Sequence, residues 1–578
     1  MKRIIQFTKK TMAISLATMT TFSVVGLAAC GGGGAGNGGA EQIDHNKTQL
    51  YISNYNGGCG TEWLYNIEKQ FEEEYKDVCF EPGTDKKGVQ LIINPNKISA
   101  TQLTNSFAGA TDDVFFVEDV PYYLWVSKGY LADISDVLTN PATAGEDNLE
   151  NKLTVEQREN LTVLDGKYYA LPHYETFRGL HYDVDLFETK NLYFAKNPNN
   201  GNNGFVTSKT EERSNGPDGK TGVIDGVDYS IDDGLPSTYE ELYKLFDYMV
   251  MRNITPFVWN GRDDCGYLDY VLEAALNAYS TKVEAELPLT FSTGDDTARV
   301  ITSFDDVGDP VIENVKIDET NGYYALQQSG RYYALDLVKK IMSKSDYVHS
   351  LSAYLTHEEA QEQFLYSSLQ NKPIAMLVDG TWWPNEAKLS GAYDRSVSDY
   401  GARAENRNFA WMPLPSKYTA EDEGREELVM KDALRSYAIV HANVEKDANK
   451  LNLAKTFLRY CYTNEALQQF TVDTGIARAL QYDLTETQKN SLTSYARNVW
   501  EYRNRATVIY NLSGNKIYMN NETTFIKAIW QSTVSGYKYV GIYEAYKKNV
   551  STKDYFKGLW VTPSDWNSKY KVYFNGSN

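Results

Sequence analysis

Between residues 50 and 93 the hydrophobic period changes twice. Leu50-Tyr51-Ile52-Ser53-Asn54-Tyr55 alternates as a strand does, and Gly57-Gly58 breaks the alternation. Trp63, Ile67, Phe71 and Tyr75 then recur every four residues, before Val89–Ile93 returns to a strand. A strand, an amphipathic helix and a second strand at this spacing make a β-α-β unit, the opening of an α/β sheet.

The pattern continues. Asp113–Val117 reads as a buried strand and Tyr122–Lys128 as a helix stopped by Gly129. Ser237 and Glu240 have capping-box spacing ahead of a stripe of Leu242, Leu245, Phe246 and Met249. Asp447–Tyr460 reads as a helix with Leu453, Ala454, Phe457 and Leu458 on one face, and Thr463-Asn464 caps the next. With 578 residues the chain exceeds what one core organises, so at least two lobes are expected. Two stretches, 196–235 and 293–322, are rich in Asn, Gly and acids and read as solvated surface insertions. Asp218, Asp225, Asp228, Asp232 and Asp233 have the oxygen chemistry of a structural Ca²⁺ site, but their spacing matches no known loop, and turn-forming acids are the favoured reading. No cofactor is otherwise expected.

The formal charge of −20 and the lack of a basic run beyond the first ten residues exclude a nucleic-acid binder. Lys2, Arg3, Lys9 and Lys10 precede the uncharged stretch Thr11–Ala29, which ends in small residues, so residues 1–29 read as a secretory signal. Leu27-Ala28-Ala29-Cys30 resembles the lipobox of bacterial lipoproteins. That resemblance implies lipidation of Cys30 and an extracytoplasmic protein held at the cell membrane, with 30–49 as a Gly-rich tether. Loss of the four signal cations takes the charge from −20 to −24. The alternative is an ordinary cysteine near a cleavage site. Of Cys59, Cys79, Cys265 and Cys461, buried free thiols are expected at Cys79 and Cys461 at least. There are 44 Tyr against 22 Phe, an excess that suits wet, stacking surfaces better than dry cores.

A search for catalytic and metal motifs finds none. The six histidines have no zinc spacing, and Cys-x-x-Cys, Gly-x-Ser-x-Gly and P-loop patterns are missing. An enzyme is therefore not expected.

A series of segments in order does carry a signal. They are Tyr55-Asn56-Gly57-Gly58, Thr111–Phe116 through Gly129–Ile134, Asp165-Gly166-Lys167-Tyr168-Tyr169-Ala170-Leu171-Pro172, Leu180–Phe187, Leu235–Leu242, Ala375–Trp383, Trp411-Met412-Pro413-Leu414-Pro415 and Leu453–Gly475. Together they resemble the extracellular solute-binding proteins of ABC transporters, in the large family that contains maltose-binding protein. Departures are the greater length, Asp183 where Asn is usual, and no proline soon after Gly475.

The resemblance implies a two-lobed, periplasmic-binding-protein-like α/β fold with a hinge and an interlobe ligand cleft. Residues 50–172 plus about 416–475 would form lobe 1, and 173–415 plus about 476–578 lobe 2. It implies a monomer that captures a carbohydrate, an oligosaccharide by preference, by lobe closure and delivers it to a membrane permease. Trp382 matches the family position whose ring stacks on sugar, and Trp383, Asn385 and Glu386 follow it. Glu118, Asp119 and Glu175 are candidate hydroxyl acceptors, with Trp259, Asp263 and Asn56 as further candidates. A Trp after an apolar run also packs into cores, and single carboxylates are often only solvated. Two rival readings remain. Tyr doublets (Tyr122-Tyr123, Tyr168-Tyr169, Tyr323-Tyr324, Tyr332-Tyr333) suggest a ferric-ion or siderophore-type binder, and the same anchor would suit a surface carbohydrate-active enzyme.

Overall fold

A computed structural model gives the structure. It describes residues 42–578 except 97, 99, 144, 199–202, 263–266, 401–406, 426–427, 521–529, 531, 534–540 and 572–578. The signal, Cys30, most of the tether, Asp263 and Cys265 lie outside the described residues.

In chain order the elements that position the site begin with β1 (Thr48–Tyr55), α1 (Glu62–Glu74), β2 (Val89–Asn96), β3 (Val114–Glu118), β4 (Leu171–Pro172) and β5 (Arg178–Asp183). Then come α2 (Tyr239–Met251), β6 (Thr255–Trp259), α3 (Leu268–Tyr279), β7 (Ala298–Phe304), β8 (Pro310–Val315) and β9 (Ile374–Gly380). The set closes with α4 (Trp383–Leu389), β10 (Phe409–Met412), β11 (Leu428–Ala433), β12 (Ser436–Val440), α5 (Ala448–Cys461), α6 (Asn464–Thr474), α7 (Ser494–Arg505) and β13 (Ala506–Tyr510).

Two mixed sheets result. The first has strand order β2-β1-β3-β12-β4. β1 runs parallel to β2 (Leu50↔Leu91) and to β3 (Ile52↔Val114), while β12 returns antiparallel to β3 (Tyr437↔Val117). The second has order β10-β5-β9-β6, with β9 parallel to β6 (Met376↔Phe257) and antiparallel to β5 (Val378↔Leu180). All seven residues of β9 are buried because helices cover both faces of this sheet. Met376 and Phe257 face one core with Phe246 and Val271, whereas Leu377 and Val258 face another with Phe364 and Trp383.

The chain crosses between the sheets three times. β4 leads through His173–Phe177 into β5, β10 leads back through β11 into β12, and α6 ends at the left-handed Gly475 before a third passage. Glu175 bridges antiparallel to Ala477, so the first and third crossings lie side by side. β11 pairs parallel with β13 beside them. This two-lobed arrangement is the expected fold.

Several expectations need correcting. The N-cap of α2 is Thr238, one residue later than the capping-box spacing indicated: its hydroxyl accepts from the Glu241 amide (3.1 Å), and Glu241 accepts from the Ser237 amide (2.7 Å). Cys79 is exposed, in a surface turn where its thiol donates to the Glu81 carbonyl, whereas Cys59 and Cys461 are buried. Residues 293–322 are exposed over most of their length but carry regular structure. β7 and β8 pair as a hairpin, and Ala298, Val300 and Ile317 pack with Phe291 and with Trp566 from far along the chain. Phe205 and Val206 likewise anchor 196–235 in the second lobe's core, and Asp218 and Asp232 both engage Arg505. Among the described residues no three His, Cys, Asp or Glu gather as a metal site. The segment after Gly475 is divided between the cores: Leu480, Leu512 and Tyr518 join the first, whereas Tyr495 and Tyr502 pack on the second sheet.

Candidate functional site

β9 delivers its last residues to the gap between the sheets. Consecutive residues at a helix start point about 100° apart, so the two tryptophans that follow part company. Trp383 is 0% exposed and packs edge-on against Phe364, Phe409 and Tyr495 at 5.1–5.9 Å. It is a core residue, which corrects the expectation that it faces ligand. Trp382, 6% exposed, instead joins the core of the first sheet. It lies against Gly58, in the turn after β1, and meets Tyr270 of α3 edge-on at 5.8 Å. The Arg435 guanidinium lies 5.7 Å from its ring centre.

Around this plate the charged groups form two clamps. Arg435, between β11 and β12, bonds Asp119 through two nitrogens (Nε–Oδ1 2.5 Å) and stands 3.9 Å from Glu118. Glu118 accepts from the Tyr174 hydroxyl, and burial pushes its carboxyl above the usual range against the pull of Arg435. Arg178 holds Asp432 (Nε–Oδ2 2.6 Å) and Glu273 (3.0 Å), and lies 4.5 Å from the Tyr270 ring centre. Asp119, Asp432 and Leu434 have φ of 55°, 126° and 56°. Non-glycine residues occupy that region at a cost, and here the strained positions are the ones that aim the clamps.

From the other lobe, Gln361 donates its amide to both Asp379 (3.0 Å) and Glu386 (3.1 Å). Burial, then Glu386, raises the Asp379 carboxyl well above normal. Glu118 and Glu386 both raise the Tyr55 hydroxyl after burial, so groups from the two lobes face one another here. Asn385 donates to the Thr474 carbonyl at the end of α6 (2.7 Å), a direct bond between lobes. Asn56 accepts from Thr61 (3.1 Å) in the turn beside Gly58.

The structure thus brings together Glu118, Asp119, Trp382 and Glu386, with Asn56 in the turn after β1 and Asn385 in the first turn of α4 on either side. It does not bring in Glu175 or Trp259. Glu175 is buried at the crossing and taken by Arg503, which lies over Tyr482, because an unpaired carboxylate there would be costly. Trp259 ends the fully buried β6 and packs in the second lobe's core near Tyr543. Arg178, Tyr270, Gln361, Asp432 and Arg435 were not foreseen. Only Tyr270 left a sequence signal: with Glu273 and Asn277 it follows helical spacing on the side of α3 away from Leu268, Val271, Leu272 and Ala275.

Chemically, the groups gathered between the lobes are aromatic rings and charge-assisted hydrogen-bonding side chains. Among the described residues Cys59 Sγ lies 4.0 Å from His173 Nε2. Burial pushes the thiol up to about 12 and the imidazole well below its usual value, the reverse of a thiolate–imidazolium pair. In two of the four doublets the tyrosines are hydrogen-bond donors, Tyr122 and Tyr123 to the carbonyls of Leu161 and Asn160, Tyr168 to Glu150 and Tyr169 to Asp165. A phenolate iron ligand would have to give up that proton.

Neither a family model nor a curated protein sequence matches the chain. Solved structures do. A chitin oligosaccharide-binding protein is similar at TM-score 0.52 and 14% identity, over 91% of this chain and all of its own. A maltose-bound MalE3 of T. maritima is similar at 0.51 and 13%, over 90% and 99%. A protein of xylan utilisation from Caldanaerobius polysaccharolyticus is similar at 0.52 and 14%, over 89% and 99%. The chain has the maltose-binding-protein-like, two-lobed solute-binding-protein fold. The Trp382 cluster lies in the gap between the two lobes of that fold.

Proposed function

We propose that this protein is the carbohydrate-capturing component of an ABC importer, anchored outside the cytoplasm through a lipid on Cys30 and handing its ligand to a membrane permease. The observation that carries the reading is Trp382, held between lobes against Tyr270 and ringed by Glu118, Asp119, Glu386 and Arg435. A pyranose has an apolar C–H face and a rim of hydroxyls. A tryptophan plate suits the face, and carboxyl and guanidinium hydrogen-bonding groups suit the rim. The structural neighbours support the same class, since their titles name a chitin oligosaccharide, maltose and xylan.

Closure on a ligand requires that it bind the shut arrangement more tightly than the open one. Trp382 and Asn385 touch the opposite lobe directly, so they join ligand recognition to closure.

A thermal-shift screen over neutral oligosaccharides, ferric salts and buffer tests the class. Stabilisation by sugars alone, with no product in the recovered ligand, is the expected result. Stabilisation and a visible charge-transfer colour with iron, or release of any sugar product, would replace the reading with one of its rivals.

A further inference from the structure

A second cavity lies away from Trp382, between the 196–235 segment, the chain leaving β10, the start of β11 and the end of α7. It is a partly open pocket of about 640 Å³ counted with the solvent at its mouth, and Asp218, Lys220, Asp232, Arg425, Tyr502 and Arg505 contribute to its polar lining. Three of these carry buried donors with no hydrogen-bond partner among the described residues: Tyr502 Oη, Arg505 Nη1 and Arg425 Nε. Tyr502 is 1% exposed. Buried donors are almost always paired, so three orphans on residues lining one cavity call for an acceptor.

The lining carboxylates do not supply it. Asp218 and Asp232 are both turned to Arg505, and the Asp232 carboxylate also accepts from the Asp218 amide (3.3 Å). Ser416 Oγ accepts from the Arg425 amide (2.9 Å). Arg425 stands 3.8 Å from Glu284, a carboxylate it shares with Arg299 at 2.8 Å, and its Nε still has no acceptor. Lys220 adds a cation over the Tyr229 ring (4.9 Å), which Arg505 also faces (4.7 Å). Burial and Asp218 push the Asp232 carboxyl up to about 7, which weakens the negative side of the balance near neutrality.

We propose that this cavity is a second binding site, for a small oxyanion whose oxygens accept from Tyr502, Arg505 and Arg425. A carboxylate and a phosphate share that chemistry. The proposal does not depend on the sugar reading, since none of these residues belongs to the Trp382 cluster.

The test is calorimetric titration of the whole protein, dialysed into chloride buffer, with sodium acetate and separately with inorganic phosphate. Saturable binding of at least one anion is expected, and the anion that saturates identifies the source. Tyr502→Phe removes only an unpartnered hydroxyl, so it should fold normally and weaken that binding by about tenfold. Arg425→Met should do the same, whereas Trp382→Ala should leave it unchanged. No saturable heat with either anion, equal binding by Tyr502→Phe and Arg425→Met, or a crystal structure in phosphate showing only water at the three donors would overturn the site.

Discussion

Gly58→Ala should hold the lobes apart. A Cβ built at Gly58 falls 2.7 Å from Trp382 Cβ and 3.0 Å from Cγ. Carbon atoms prefer about 3.5–4.0 Å, so the shortfall is roughly 1 Å. The atoms met are at the root of the tryptophan side chain, which cannot swing away without moving the backbone. Overpacking of this kind costs about 1–3 kcal/mol. Gly58 follows β1 of one sheet and Trp382 follows β9 of the other, so the conflict exists only while the lobes are together. The cost therefore falls on the shut arrangement and should weaken ligand binding by about 5–150-fold, with the melting temperature of the free protein nearly unchanged. Small-angle scattering of the ligand-free protein should show a larger radius of gyration for the variant, and titration should show the weaker affinity. An identical radius together with identical affinity would refute the placement of Trp382 as a contact between lobes.

Other substitutions separate packing from recognition. Trp383→Ala should cost about 3–5 kcal/mol in denaturant unfolding, because it empties a fully buried aromatic site. Glu175→Gln leaves the Arg503 guanidinium buried without its carboxylate and should lower stability by about 3–5 kcal/mol, with partial recovery in the Glu175→Gln, Arg503→Met double variant. For Asp232 the folded-state value lies above the unfolded one, so the folded protein keeps a proton that the unfolded chain releases between about pH 4 and 7. Its contribution is present at the acid end of that window and is lost as pH rises through about 7, at up to about 1.4 kcal/mol per unit. Asp232→Asn should flatten the pH dependence of the melting temperature from pH 5 to 8, and an unchanged profile would show that Arg505 keeps the group ionised throughout.

The β1-α1-β2 unit was legible because one face of each element is apolar at a period that only that element has. The cap at Thr463 was legible for the same local reason, since its side chain accepts from an amide of its own helix, whereas Asp447, read as the first residue of its helix, is that helix's cap. The roles of Trp382 and Trp383 were not separable, since adjacent residues differ only in the rotation of α4 against its neighbours. Arg178, Asp432 and Arg435 come from segments joined only by the crossings, and no local pattern announces a clamp assembled that way. Part of the tyrosine excess serves cores rather than wet surfaces. Tyr437, Tyr462, Tyr546 and Tyr555 fill cores and donate to the backbone carbonyls of Leu434, Pro172, Leu335 and Trp530. A buried phenol with a carbonyl partner serves packing as well as a wet surface does.

The central claim is that a carbohydrate is held on Trp382 between the lobes. Calorimetric titration of wild type and Trp382→Ala in parallel, with an oligosaccharide found by thermal shift, tests it most directly. The account predicts binding by wild type and a loss of about a hundredfold or more in the variant, comparable to truncating a central aromatic anchor. Equal binding by the two proteins would contradict it.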